Sequence, residues 1–115
     1  ECEVRTFCHV TGGGLVGNME RIIPAGLVAH MLRTTWTPGQ IFQSIRSIGQ
    51  VADAEMEKTF NMGGGMVAVV APQDRDRALA ILAARHIESW VIGEVRASEA
   101  DEQARAVLTG QHPRY

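Results

Sequence analysis

The sequence predicts an α/β fold in the order β-α-β-α-α-β-α-β, a sandwich with partial ferredoxin-like topology. Runs of β-branched and aromatic residues alternate with stretches whose apolar residues recur at helical spacing. Both glycine triplets, Gly12 to Gly14 and Gly63 to Gly65, stand at the ends of predicted strands, where the chain must change direction. The helices are short, so each has to bury its apolar face on a sheet. At 115 residues the chain is one domain at most, large enough to bury about two thirds of its unfolded surface without disulfide or metal staples.

The first strand is Val4 to Val10, which runs into Thr11-Gly12-Gly13-Gly14. Leu15, Met19, Ile22 and Ile23 then form the stripe of a short helix, ended by Pro24 and Gly26. Leu27 to Leu32 is the second strand. Thr37-Pro38-Gly39-Gln40 reads as a helix start, with Thr37 as cap, Pro38 in the first turn and a Gln three residues after the cap. Ile41, Phe42, Ile45 and Ile48 are its expected buried face, and Gly49 its end. A second short helix carries Ala52, Met56 and Phe60, with Asp53 as a possible cap. Met66 to Ala71, apolar at every position, predicts a central strand covered on both faces. Pro72-Gln73-Asp74 opens a helix with Ala78, Leu79, Ile81, Leu82 and Ala83 as apolar positions, and Trp90 to Val95 is the last predicted strand. Ser98 and Asp101 suggest a final helix with Ala100, Ala104, Val107 and Leu108 on one side, followed by a fraying polar tail from Gln111 to Tyr115. Trp36, Trp90, Met31, Met56, Met62 and Met66 are expected in the core.

Eleven basic and thirteen acidic side chains give a net charge of −2, and the bases, all Arg except Lys58, are scattered, so no nucleic-acid footprint exists. No apolar run approaches the ~20 residues that span a bilayer, which leaves no membrane partner to expect. Cys2 and Cys8 lie in an extended segment, ~20 Å apart at ~3.3 Å per residue, and cannot bridge. They are expected as free thiols, hence a cytoplasmic protein. The opening at Glu1, without a signal-like segment, predicts a piece of a longer protein.

Chemistry concentrates around the first glycine triplet. Backbone N–H groups at a strand-to-helix turn make an anion site, and Thr11 adds a hydroxyl, so Thr11, Gly12, Gly13 and Gly14 are candidate phosphate- or substrate-binding residues, or else a tight turn needing positive φ. His9, at the strand end, is the candidate catalytic residue, as proton donor or as a cation facing the anion; a structural role is the alternative. Asn61 is a candidate ligand-binding amide beside the second triplet, where the competing reading is a helix C-cap. Cys8, His30, His86 and His112 have no metal-ligand spacing, and no metal site is expected from this chain's own side chains.

His9-Val10-Thr11-Gly12-Gly13-Gly14-Leu15 followed by Asn18 to Pro24 resembles the second half of the phosphoribosylformylglycinamidine cyclo-ligases, the aminoimidazole ribonucleotide synthetases of purine biosynthesis. The likeness runs through Trp36-x-Pro38-x-x-Ile41-Phe42, Glu55-Met56-x-x-Thr59-Phe60-Asn61-Met62-Gly63-x-Gly65-Met66 and Ile92-Gly93-Glu94-Val95. It departs at Gly64, where the family usually carries a larger apolar residue. The resemblance implies an ATP- and Mg²⁺-dependent ligase that closes an imidazole ring, with His9, Thr11 and the glycines facing a nucleotide-like substrate between two domains. It also implies that residues 1–97 are part of the C-terminal synthetase domain, its substrate-side half, followed by a helix and tail over 98–115. The N-terminal ATP-binding domain has no counterpart here, so the chain alone should be inactive and bind no cofactor. Another ATP-dependent synthetase or kinase of the same superfamily, or a non-catalytic ferredoxin-like ligand-binding module, are the alternatives. The unpaired sheet edge expected from strands encoded before Glu1 predicts a homodimer.

Overall fold

The computed structural model describes residues 2–115. The eight expected elements are present in the expected order: β1 (Val4–His9), α1 (Gly14–Ile22), β2 (Leu27–Leu32), α2 (Gln40–Gly49), α3 (Asp53–Thr59), β3 (Met66–Val70), α4 (Arg75–Ala84) and β4 (Gly93–Ala97). Short 3₁₀ turns follow β2 and precede α4. A ninth element, β5 (Ala106–Thr109), takes the place of the expected last helix. Ala104, Val107 and Leu108 fit a helical stripe, but Ala29↔Ala106 through Leu32↔Thr109 form a parallel ladder that satisfies the backbone of β2's free edge. Tertiary pairing overrides a weak local pattern here.

The strands form two sheets rather than one continuous sheet. β1 pairs antiparallel with β3, from Val4↔Val70 to His9↔Met66, with an irregularity between Val4 and Thr6. β2 is the centre of the other sheet, antiparallel to β4 and parallel to β5. Helix α1 touches β1, β5 and α3, and so joins the two sheets. Its Leu15 and Met19 are buried together with Cys8, Val10, Ala29, Met31, Trp36, Met56, Met62 and Ala106 in one core.

Met66 departs from expectation. β3 is one half of a two-stranded ribbon, and its alternate positions Met66 and Ala68 point away from the core, opposite His9 and Phe7. Met66 and Phe7 are each 61% exposed. The described chain measures 43 × 41 × 22 Å, and its radius of gyration, 14.6 Å, exceeds the ~13 Å of a compact chain of this length. The molecule is a slab with one apolar ribbon face uncovered.

The helices also show where periodicity misleads. α2 begins at Gln40, after Gly39, and the Thr37 hydroxyl donates instead to the Pro113 carbonyl (2.6 Å). Only the Phe42 and Ile45 part of its expected face packs inward, Phe42 against the Phe60 ring, whereas Ile41 and Ile48 are exposed. Asp53 starts α3 but makes no capping bond. In α4 the apolar residues are nearly consecutive and wrap around the helix, and none is fully buried. Nor does the tail fray: His112 Nδ1 lies 3.1 Å from the carbonyls of Arg33 and Trp36, and the Arg46 guanidinium stacks 3.8 Å over the Tyr115 ring. Carbonyl oxygens only accept, so this ring nitrogen carries the proton.

Cys2 and Cys8 are both free. Cys8 is buried at 4% exposure, and burial pushes its thiol pKa up, with the Arg21 charge opposing in a smaller part. A thiol held protonated and shielded alkylates slowly. Iodoacetamide at pH 8 under native conditions is therefore expected to label Cys2 well before Cys8, as read by peptide mass mapping; equal rates would place Cys8 outside the core.

Candidate functional site: a cleft between two glycine turns

The β1–β3 ladder brings the two glycine triplets to one end of the ribbon. Beyond His9↔Met66 the Val10 N–H donates to the Gly65 carbonyl (3.0 Å), so Thr11–Gly14 and Asn61–Gly65 are neighbours in space although distant in sequence.

In the first turn Gly14 N–H donates to the Thr11 carbonyl (3.1 Å), and Gly13 and Gly14 both adopt left-handed backbone, φ 103° and 78°. The turn is held by Asn18, buried at 5% exposure on the inner face of α1. Its Nδ2 donates to the carbonyls of Gly14 (2.7 Å) and Thr11 (3.1 Å), and its Oδ1 accepts from the Thr11 hydroxyl (3.1 Å) and weakly from Arg21 (3.4 Å). Two acceptors on one side and two donors on the other fix the orientation of the amide. Gly14 also meets α3: a β-carbon at this position would lie 1.7 Å from the Glu57 carbonyl oxygen. Only glycine permits that approach.

The second turn is a local lock of the same kind. Asn61 Oδ1 accepts from Gly63 N–H (2.8 Å), and Gly64 N–H donates to the Asn61 carbonyl (3.0 Å). Met62 (φ 55°) and Gly63 (φ 102°) both have positive φ, the signature of a type I′ turn. Trp36 Nε1 donates to the Met62 carbonyl (2.9 Å) and pins this unusual backbone to the core. The Asn61 Nδ2 has no protein acceptor among the described residues.

A cleft of about 390 Å³ lies between these turns, large enough for a small ligand. Gly13, Leu15, Val16 and Gly17 at the N-terminus of α1 form one side; Glu57, Lys58, Asn61 and Met62 form the other. No side chain caps the first turn of α1: the Gly14 N–H is taken by the Thr11 carbonyl, and the amides that follow have no side-chain partner at the positive end of the helix dipole. Glu57 is held away from free charge by Arg33, whose Nε and Nη2 donate to the two carboxylate oxygens at 2.7 and 2.8 Å. That hydrogen bond raises the Arg33 pKa above its ordinary value. Among the described residues no cluster of three His, Cys, Asp or Glu side chains is placed to hold a metal ion, and no helix is long and apolar enough to cross a membrane.

Of the sequence-predicted site residues, Gly13 and Asn61 line this cleft. Gly14 is buried beneath it as the packing contact with α3, and Thr11 closes the turn through Asn18. Gly12 is exposed, and a β-carbon added there would meet nothing within 4 Å. His9 stands on the outer face of the ribbon opposite Met66, apart from the cleft lining. Sequence reasoning passed over Asn18, although a polar residue three positions after Leu15, inside the apolar stripe, was a visible signal. It also passed over Lys58, for which a charge at a helix end gives no comparable signal.

The family of AIR synthase related proteins, C-terminal domain, matches residues 1–103. The chain belongs to this family. A Streptomyces fradiae protein whose name provisionally assigns it to phosphoribosylformylglycinamidine cyclo-ligase is 51% identical over 112 residues, 96% of this chain and 62% of that protein. Phosphoribosylformylglycinamidine cyclo-ligases of Anaeromyxobacter dehalogenans strain 2CP-1 and Paraburkholderia phymatum are 46% and 41% identical, over 91% and 94% of this chain and 30% of each relative. The chain thus spans under a third to somewhat under two thirds of these relatives.

The glycines separate into two roles with opposite expected effects. Gly14→Ala places a methyl group against the α3 backbone at positive φ and is expected to lower stability by at least about 1–3 kcal/mol. At Gly64 a β-carbon meets only the Asn61 carbonyl oxygen at 3.8 Å, and φ is not in the left-handed region. Gly64→Ala is expected to stabilise by about 0.4–1 kcal/mol. Urea denaturation of the two variants checks both signs.

Proposed function

We propose that the whole protein carrying this chain is an ATP-dependent phosphoribosylformylglycinamidine cyclo-ligase of purine biosynthesis, and that this chain forms the substrate-side wall of its active site. The observation that carries the proposal is the cleft in which the first glycine turn and the Asn61 turn face one another. Both segments belong to the motifs shared with the cyclo-ligases. Residues 1–97 supply the substrate-side half of the C-terminal domain, and 98–115, through β5 and the docked tail, complete its sheet.

In this reaction ATP transfers its γ-phosphoryl group to the formyl oxygen of the substrate and leaves as ADP. The amidine nitrogen then attacks the activated carbon, the C–O bond breaks with loss of phosphate, and the imidazole ring closes with release of a proton. The open amides of α1 and Gly13 hold an anionic group of the substrate, and Asn61 Nδ2 donates to a substrate oxygen. Thr11 keeps the turn in place and turns its remaining lone pair toward a substrate donor. His9 stands on the outer ribbon face, outside this cleft, so its proton-carrying role depends on the substrate's reacting end extending past the cleft toward the rest of the protein. The chain's own donor set does not fit Mg²⁺: Glu57 is committed to Arg33, and Glu20 is the only other acid lining the cleft. The ATP- and Mg²⁺-binding part therefore belongs to the remainder of the protein, an N-terminal domain working in the cytoplasm. ATP-dependent formation of aminoimidazole ribonucleotide is expected from the whole protein and not from the 115-residue chain. Turnover by the chain alone, or a whole protein that uses another substrate class instead, overturns the proposal.

The uncovered ribbon face with Phe7 and Met66 supports a second expectation. In the isolated chain a second copy packs on it about a two-fold axis. Sedimentation at micromolar concentration is expected to show a dimer, and a clean monomer counts against this use of the face.

A further inference from the structure

Lys58 is the single lysine of a chain whose other ten bases are arginine, and it lines the cleft. Its main chain lies against the first glycine turn: the Lys58 α-carbon is 3.4 Å from the position a Gly14 β-carbon would take. Among the ionisable side chains of the lining it is the only cation, and it has no ion-pair or hydrogen-bond partner among the described residues. Glu57 beside it does not neutralise it, since Arg33 takes both carboxylate oxygens. Glu20, across the cleft, is exposed and likewise forms no ion pair. Lys58 and Glu20, both exposed, line the same small cavity without pairing to each other, which matches a ligand that brings an anionic head and hydroxyl donors together. A sugar phosphate has both.

We infer that Lys58 is a specificity-determining residue that takes the phosphate monoester of a ribose 5-phosphate-bearing substrate, with the ribose hydroxyls directed to Glu20. This rests on the cyclo-ligase reading for the substrate's identity; the cleft itself contributes the lone cation and the unpaired carboxylate. An ammonium is a compact point charge that moves with the phosphate through a flexible stem, whereas the arginines elsewhere in the chain are held by carboxylates or main-chain carbonyls where those bonds are seen.

The test uses the whole protein with Lys58→Met and Lys58→Arg. Lys58→Met is expected to raise KM for formylglycinamidine ribonucleotide by about 10–100-fold, the loss of one charge-assisted contact, with kcat and the KM for ATP changed less than about twofold. Lys58→Arg is expected to recover most of the loss. Calorimetric titration with ribose 5-phosphate and with ribose gives a readout that needs no turnover: the wild type binds the phosphate and not the free sugar, and Lys58→Met loses that preference. A variant with lowered melting temperature and unchanged KM would show that Lys58 only complements the C-terminal end of α3, and would overturn the inference. Should the wild type bind ribose 5-phosphate through Lys58 yet fail to close the imidazole ring, the proposed reaction falls and the sugar-phosphate site stands.

Discussion

The approach of Gly14 to the backbone of α3 is the contact on which the arrangement of this molecule depends. With a β-carbon excluded by 1.7 Å from the Glu57 carbonyl oxygen, α1 and α3 can lie closer than side chains allow. That spacing places the open N-terminus of α1 against Lys58 and the Asn61 turn, and so creates the cleft. The same helix holds the β1–β3 ribbon on one side and β5 on the other. A glycine that first reads as a phosphate contact is thus the hinge of the packing, and Gly13 beside it is the residue left lining the cleft.

Asn18 makes this arrangement a polar one at its centre. Its buried amide satisfies two carbonyls and two donors at once, which gives the turn one geometry rather than several. Asn61 fixes the opposite turn through a single side-chain bond, accepting from Gly63 N–H, and the Trp36 bond to Met62 ties that turn to the core. The two walls of the cleft are therefore positioned by side-chain amides, Asn18 buried behind one and Asn61 within the lining of the other. The charge distribution follows from the same economy, because the Arg33–Glu57 pair lets an acid sit beside Lys58 without cancelling it.

Most of the element order was legible in the sequence, since a run such as Val4 to Val10 or the Leu15–Met19–Ile22 spacing carries its own period. What was not legible depends on who pairs with whom. Residues 98–115 contain both a helical stripe and β-branched residues, and only the free edge of β2 decides between them. Met66 to Val70 is apolar enough for a central strand, but its single neighbour β1 leaves one face outside. At the site, the glycines and Asn61 announced themselves through composition. Asn18 was hidden within an apolar stripe, and the position of Lys58 depends on a helix–helix distance that no local pattern encodes. His9 was legible as a residue type next to the loop, while its direction, outward on the ribbon, follows from strand alternation against Met66.

The parallel ladder between β2 and β5 also sets the order in which this domain can be made. His30 leaves the ribosome long before Val107, its partner, has been joined to the chain. During that interval one edge of β2 has no partner, and the core lacks Ala106. Pairings of such long range form late and slowly. Synthesis therefore includes a stage at which the nascent chain holds most of its helices and an open strand edge, exposed to other chains and to chaperones until the last sheet strand arrives.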